Sequence, residues 1–334
     1  MSNSDISIKN SIDVDFFFSS TKKLFNLKLL SKQVGFDRLI TEQNIHRPGL
    51  ALAGFHELFS YKRIQLFGNT EMKYLIKLNK NQCRKSLEAF FNFEIPCIIV
   101  TNGIKPLPDM IELAEKSSVP IFGTDLSTTK AVYFLSDFLD DQFAPRQSIH
   151  GSFVDVYGIG MLFIGKSGVG KSEVALDLIE RGHRLVADDV VILTKKGEGI
   201  LIGSGTDLVK HFMEVRGIGI IDVRSMFGVR AIRYQKRLEI VIELEVWDST
   251  KEYTRTGLDT ETLKFIDVDI PYMRIPIVPG KNLTVIAEVI ALNYLLKHHN
   301  YDAAKIFAKR LNHKLKKQIN IGERAVNYFE HDFE

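Results

Sequence analysis

Apolar positions along this chain fall into two textures that change near residue 145. In the first half, the run PCIIV at 96–100 passes through the loop TNGIKPLPD into MIELAEK at 110–116, whose apolar spacing is helical. VPIFG at 119–123 then leads into TTKAVYFLSDFLDD at 128–141, so strands and helices alternate as in an open parallel α/β sheet. Phe16, Phe17 and Phe18 are adjacent, and three neighbouring rings suit a buried strand or an anchoring segment. The stretch QFAPRQSI at 142–149 sets a proline among polar residues and reads as a linker. Beyond it come closely spaced strand candidates: SFVDVYG, MLFIG, RLVADDVVIL, GILIG, GIGIIDV and LEIVIEL. Two helical patterns follow, TVIAEVIALNYLLKHH at 284–299 and DAAKIFAKRLNHKLKKQ at 302–318.

Length agrees with that division. At roughly 150 residues per domain, 334 residues make about two, and 45% hydrophobic content supplies a core for each. We place the domains at 1–145 and 146–334. The 44 basic and 41 acidic side chains leave a formal charge of +3, without the concentrated basic face of a duplex-binding protein, so no nucleic-acid partner is expected. Cys83 and Cys97 are too few for a disulfide framework or a thiolate zinc site and read as small buried apolar residues in a reducing cytoplasm. The start MSNSDISIKN lacks the features of a secretory peptide, and no apolar run reaches a membrane-spanning length, so a soluble, cytoplasmic protein without membrane contact is expected. The cluster Lys309, Arg310, Lys314, Lys316 and Lys317 reads as a solvated helix face.

The chemistry concentrates in GKSGVGKS: Gly165, Lys166, Ser167, Gly168, Val169, Gly170, Lys171 and Ser172. This is the P-loop pattern, in which backbone N–H groups surround nucleotide phosphates, the lysine reaches the β and γ phosphates, and the final hydroxyl holds Mg²⁺. The strand candidate MLFIG precedes it and the amphipathic SEVALDLIERG follows, so a helix N-terminus adds its positive end to the cradle. Next, RLVADDVVIL reads as a strand carrying Asp188 and Asp189. A carboxylate there holds Mg²⁺ or accepts a proton from an attacking hydroxyl; adjacent strand residues face opposite ways, so only one is expected to reach the site. Composition leaves open which one. By themselves His150, Glu214 and Arg255 sit among ordinary neighbours and attract no assignment.

Several longer segments carry more. IHGSFVDVYGIGMLFIGKSGVGKSE, ALDLIERGHRLVADD, MEVRGIGIIDVRSMFG and IPIVPGKNLTVIAEVIALNY, with HRPGLALAGF and RIQLFGNTE in the first half, resemble the HPr kinase/phosphorylase family over nearly the whole chain. The resemblance implies an N-terminal open α/β domain of regulatory or assembly role, then a P-loop kinase-like domain with a mixed sheet and C-terminal helices. It implies ATP- and Mg²⁺-dependent phosphorylation of a serine in the phosphocarrier protein HPr. It also implies the reverse phosphorolysis by inorganic phosphate, giving pyrophosphate, within carbon catabolite regulation of a homohexameric enzyme. The family's active-site residues fall on His150, Lys171, Arg255 and Asp189, the last as proton-transfer group; its magnesium ligands fall on Ser172 and Glu214. Residues 213–222 match its region used in both reactions, and 276–281 the region associated with dephosphorylation.

Two departures stand out. Lys166 replaces a usual acidic residue, at a position that normally points away from phosphate. In IPIVPGK, Val278 and Lys281 stand where the family commonly has arginine, removing bidentate phosphate contacts, so weakened phosphorolysis relative to kinase activity is expected. Two other readings compete: a small-metabolite kinase related to phosphoenolpyruvate carboxykinase, and a nucleotide-binding regulatory module without catalysis.

Overall fold

The computed structural model describes residues 6–206, 210–248, 250, 261–278 and 280–321. Chain contacts divide the protein into one unit of Ser7–Pro145 and another of Arg146–Glu334 with Met1–Ile6.

In the first unit, strands Ile45–His46, Ile64–Phe67, Ile98–Val100 and Ile121–Gly123 run parallel, and Lys28–Leu29 adds an antiparallel edge. Ile98, Ile99 and Val100 are all fully buried because both sheet faces are covered. Ile98 and Val100 pack with Leu87 and Phe90 of helix Lys80–Phe91 and Met110 of helix Pro108–Lys116. Ile99 faces the other way, toward Phe17 and toward Leu135 of helix Thr128–Phe143. Burying each such side chain contributes about 1.5–3 kcal/mol.

The adjacent phenylalanines form a helix, Val14–Thr21, rather than a strand. Asp13 caps it, accepting from the Phe16 N–H at 2.6 Å, and Val14, Phe17 and Thr21 recur at helical spacing on the buried face. Phe17 is enclosed and Phe18 stacks on Phe122 at 4.7 Å, whereas Phe16 remains 40% exposed. Both cysteines are free and buried, and burial pushes both thiols up from their ordinary pKa.

Residues 146–150 are not a linker: Arg146–His150 is a strand, antiparallel to Val190–Lys196. Ile200–Gly205 and Gln235–Arg237 extend that sheet. The second sheet of this unit is mixed, in the order Arg184–Ala187, Ser152–Val156, Ile159–Gly165, Ile240–Val246, Val268–Ile277, Glu261–Phe265. One of its faces places Phe153, Leu162, Ile164 and Val241 against Val191, Leu193 and Leu201 of the first sheet. Its other face places Val154, Met161 and Phe163 against helix Lys171–Glu180 and helix Leu283–His298. The result is three layers, sheet on sheet on helices. Helix Ala303–Ile321 follows, with Lys309, Arg310 and Leu311 exposed.

The two long helices are joined by polar side chains. Arg181, just past helix Lys171–Glu180, grips Glu288 through two bonds of 3.0 and 2.7 Å, and His183 Nε2 lies 3.1 Å from the same carboxylate. Hydrogen bonding from Arg181 is the largest influence on Glu288 and holds its carboxyl below the usual range. Among the described residues, no helix is long and apolar enough to cross a membrane.

Candidate phosphate-binding site

The P-loop leaves the central strand Ile159–Gly165 at the edge where it pairs in parallel with Ile240–Val246. Gly165 adopts φ +143°, and a Cβ there would stand 2.3 Å from the Leu244 carbonyl oxygen, so only glycine fits against the neighbouring strand. Gly170 caps helix Lys171–Glu180 in the left-handed region at φ +100°, aiming the helix N-terminus back at the loop. The loop is thus built by two glycines for different reasons, one for space and one for backbone rotation.

Lys171 is 93% out of solvent, at 7% exposure, and its Nζ donates to the Gly165 and Lys166 carbonyls at 3.2 Å each. Burial lowers its pKa, opposed by the attraction of Asp188 and Asp189. Lys166 itself is exposed and contributes only that carbonyl.

The expectation that one aspartate alone reaches the site is corrected. RLVADDVVIL is two strands: the first ends at Ala187 in the mixed sheet and the second starts at Val190 in the antiparallel sheet. Asp189 takes a left-handed conformation, φ +66°, where the chain crosses between them, which breaks strand alternation. Both carboxylates therefore line the same pocket, in different settings. Asp188 is buried at 3% exposure and accepts from Ser152 Oγ at 2.5 Å and Ser172 Oγ at 3.0 Å. Desolvation raises its pKa, and the two hydroxyl bonds work against that rise. Asp189 lies open, 2.9 Å from His150 Nδ1, with side-chain exposures of 62% and 55%. The Asp189 carbonyl also accepts from the Gly151 N–H at 3.1 Å, fixing this crossing beside the end of strand Arg146–His150.

Of the residues singled out in the sequence, His150, Ser167, Gly168, Gly170, Lys171, Ser172, Asp189 and Glu214 line this pocket. Gly165, Lys166 and Val169 shape the loop without lining it. Arg255 lies outside the described residues. Asp188, raised from sequence beside Asp189, lines it as well, and Ser152, Glu173 and Arg216, not singled out from sequence, complete the lining. Glu214 belongs to strand Phe212–Val215, where Met213 and Val215 turn into the core, so period-two alternation was the available signal for Glu214, and Arg216 follows in the turn after the strand.

Oxygen donors from Ser172, Asp188 and Glu214 in one pocket suit a hard divalent cation. Among the described residues no three His, Cys, Asp or Glu side chains form a ready metal cluster.

Comparisons with known proteins identify relatives over most of the chain. The profile described as HPr Serine kinase C-terminal domain matches residues 141–311, and that described as HPr Serine kinase N terminus matches 18–139. A protein of Chloroherpeton thalassium named HPr kinase/phosphorylase is 53% identical over 331 residues, covering 98% of this chain and 97% of its own. One of the same name from Prosthecochloris aestuarii is 51% identical, with coverage of 92% and 93%. A solved structure, the Hpr(Ser) kinase/phosphatase from Coxiella burnetii, is 34% identical, covering 48% of this chain and 98% of its own, with a TM-score of 0.43. The matched profiles span both units and the relatives align end to end, so this chain belongs to the HPr serine kinase family.

Proposed function

We propose that this protein transfers the γ-phosphoryl group of ATP to a serine of HPr and catalyses the reverse phosphorolysis of phosphoserine-HPr. The observation that carries the reading is the exposed His150–Asp189 pair at the rim of a P-loop pocket, where a protein hydroxyl has access. In the forward direction the serine proton passes to Asp189 as the serine oxygen bonds to the γ-phosphorus, and the bond to the β,γ-bridging oxygen breaks to release ADP. His150, through its 2.9 Å contact, holds the Asp189 carboxylate in place. Lys171 and, by resemblance, Arg255 offset charge on the transferring group. In reverse, an oxygen of inorganic phosphate bonds to the phosphoserine phosphorus, the serine oxygen leaves with the proton Asp189 carries, and pyrophosphate forms. Mg²⁺, held by Ser172, Glu214 and Asp188, would neutralise charge between the phosphates. Asp188 is thereby a hydroxyl-bonded supporting carboxylate and Asp189 the proton acceptor.

Val278 and Lys281 lie within residues 276–281, the segment that the resemblance associates with dephosphorylation, Val278 at 38% exposure, and neither offers a guanidinium. We therefore read the balance as tilted toward the kinase direction. A homohexamer in the cytoplasm, with residues 1–145 in an assembly or regulatory role, completes the proposal. Exposed Val285, Val289, Leu292 and Leu296 form one apolar stripe on helix Leu283–His298 that subunit contact would cover.

The test is incubation with ATP, Mg²⁺ and HPr, with mass spectrometry for phosphoserine. Asp189→Asn is expected to lose transfer by about 10²-fold or more while still binding ATP. ATP binding by the unaltered protein with no phosphate on HPr would overturn the reading in favour of a nucleotide sensor.

A further inference from the structure

We infer that the second unit holds another small-molecule site, for a carboxylate carrying a single apolar ring, in a cavity between helix Leu283–His298 and the mixed sheet. It shares no lining residue with the P-loop pocket and does not depend on the kinase reading.

The cavity follows from the sequence of both its walls. On the helix, the small residues Ala287 and Ala291 are buried at 1% and 0% and bring its middle close to the sheet. Ile290 continues that apolar contact, but Asn293, Tyr294 and Lys297, at i+3, i+4 and i+7 from it, share its half-buried face. Toward its C-terminus, then, the face of the helix that meets the sheet becomes polar. On the sheet, the parallel ladder of strand Ile240–Val246 with strand Val268–Ile277 begins at Val241 opposite Tyr272. Pro271, one step earlier, has no N–H with which to extend it. Ile240, Pro271 and Met273 line the cavity left there, of about 190 Å³. An engineered apolar cavity of about 150 Å³ admits one benzene ring, so the space takes a single ring.

The polar groups set the charge of the ligand. Among the described residues the side chains of Asn293, Tyr294 and Lys297 make no hydrogen bond or ion pair, although all three residues line the cavity. His298 packs edge-on to the Tyr294 ring at 4.6 Å and adds an imidazole to the same wall. No acidic residue is in the lining, and the acids around it already have partners. Glu239, whose charge bears on Tyr294, accepts from the Gly160 N–H at 2.5 Å and pairs with Lys236 at 2.9 Å. Glu243 accepts from the Tyr272 hydroxyl. Asp302, which feels the Lys297 charge, accepts from the Lys305 N–H at 3.1 Å.

The negative end of the helix dipole accounts for cations in the last turn, as at Lys297 and His298, but not for an amide and a phenol one turn earlier. Unused donors converging beside an apolar floor are the pattern that orients a bound ligand. A carboxylate accepts from an ammonium and an amide together through its two oxygens, while its ring meets Ile240, Met273 and Ile290. One ammonium offsets one charge, which favours a carboxylate over a phosphate dianion.

The probe is phenylacetate, titrated into the full chain and followed by saturation-transfer NMR with and without ADP and Mg²⁺. A Kd of about 1 mM or tighter is expected for a ligand of about ten heavy atoms, unchanged by the nucleotide, with transfer between the ring and the Met273 methyl protons. Phenylacetamide, of the same shape without the charge, is expected to bind about tenfold more weakly. Lys297→Ala is expected to weaken phenylacetate by about tenfold, to leave phenylacetamide unchanged and to keep the wild-type melting temperature. Asn293→Trp, which fills the cavity, is expected to abolish binding of both; should it fail to fold, the Lys297→Ala comparison decides. A Kd weaker than about 10 mM, displacement by ADP, or equal binding of phenylacetate to Lys297→Ala overturns the inference. So does transfer to methionine methyls other than that of Met273, which Met273→Leu identifies by its loss.

Discussion

Replacing Asp188 with asparagine separates the cost of burying a charge from the value of the bonds it accepts. Ser152 and Ser172 donate to this carboxylate at 2.5 and 3.0 Å. A hydrogen bond to a charged acceptor contributes about 1.5–3 kcal/mol against about 0.5–1.5 for a neutral one, so the amide weakens two bonds by about 2 kcal/mol together. The opposing effect is desolvation: at 3% exposure the ionised carboxylate is disfavoured, and asparagine carries no charge to bury. The effects offset, and Asp188→Asn is expected to stay within about 1 kcal/mol of wild type, about 2–4 °C in Tm for a unit of this size. Asp188→Ala leaves both hydroxyls without their acceptor and is expected to cost about 2–4 kcal/mol. The pH dependence has a definite sign. Because the folded carboxyl titrates above its ordinary value of 3.8, the unfolded chain ionises first as pH rises. Wild type therefore loses stability from about pH 3.8 up to the folded pKa, and the gap shifts in favour of asparagine across that window. HPr phosphorylation by Asp188→Asn is expected to fall about 10²-fold with a raised magnesium requirement, since Ser172 keeps only a weakened bond and the proposed cation site loses a charged oxygen. The measurements are melting curves from pH 4 to 8 and a magnesium titration of the kinase rate. Equal destabilisation by Asn and Ala, or a gap that moves the other way with pH, would refute the reasoning.

Other expectations can be checked alongside. Gly165→Ala must displace the Leu244 carbonyl and is expected to cost more than about 2 kcal/mol and abolish nucleotide binding. Gly170→Ala meets no atom within 4 Å and is expected to cost only the left-handed strain, about 1–2 kcal/mol; denaturant melts of both distinguish space from rotation. Glu288→Ala leaves the buried His183 and the half-exposed Arg181 without their acceptor, and urea melts are expected to show a loss of about 2–4 kcal/mol, partly recovered by Gln. Val278→Arg with Lys281→Arg is expected to raise phosphorolysis several-fold with little change in kinase rate. Pyrophosphate release from phosphoserine-HPr measures it, and an unchanged ratio would remove those positions as its cause.

Much of the fold was legible where the signal is local. The parallel sheet of the first unit shows in the alternation from PCIIV to TTKAVYFLSDFLDD, and the helix after the P-loop shows in its apolar spacing. The adjacent phenylalanines were misread because ring hydrophobicity was weighed without Asp13, whose cap starts a helix and whose period puts Phe17 inward and Phe16 outward. Residues 146–150 were read as a linker because their strand gains its pairing from Val190–Lys196, forty residues on. At the site, the resemblance supplied His150, Asp189 and Glu214, yet nothing in it distinguished the settings of the two aspartates.

Sequence alone determined the glycine spacing, the lysine and the hydroxyl of the phosphate cradle, because a loop between one strand and one helix is specified within about ten residues. It also determined the alternating layers, because side-chain period follows from backbone geometry. Only the tertiary structure decided that the chain changes sheets at Asp188–Asp189, burying one carboxylate against two hydroxyls and leaving its neighbour open beside His150. It alone brought Arg216 over Gly168, forty-eight positions away in the chain. The physical reason is common to both: desolvation and charge depend on what packs nearby, and distant segments pack together only when the sheets close over a shared core.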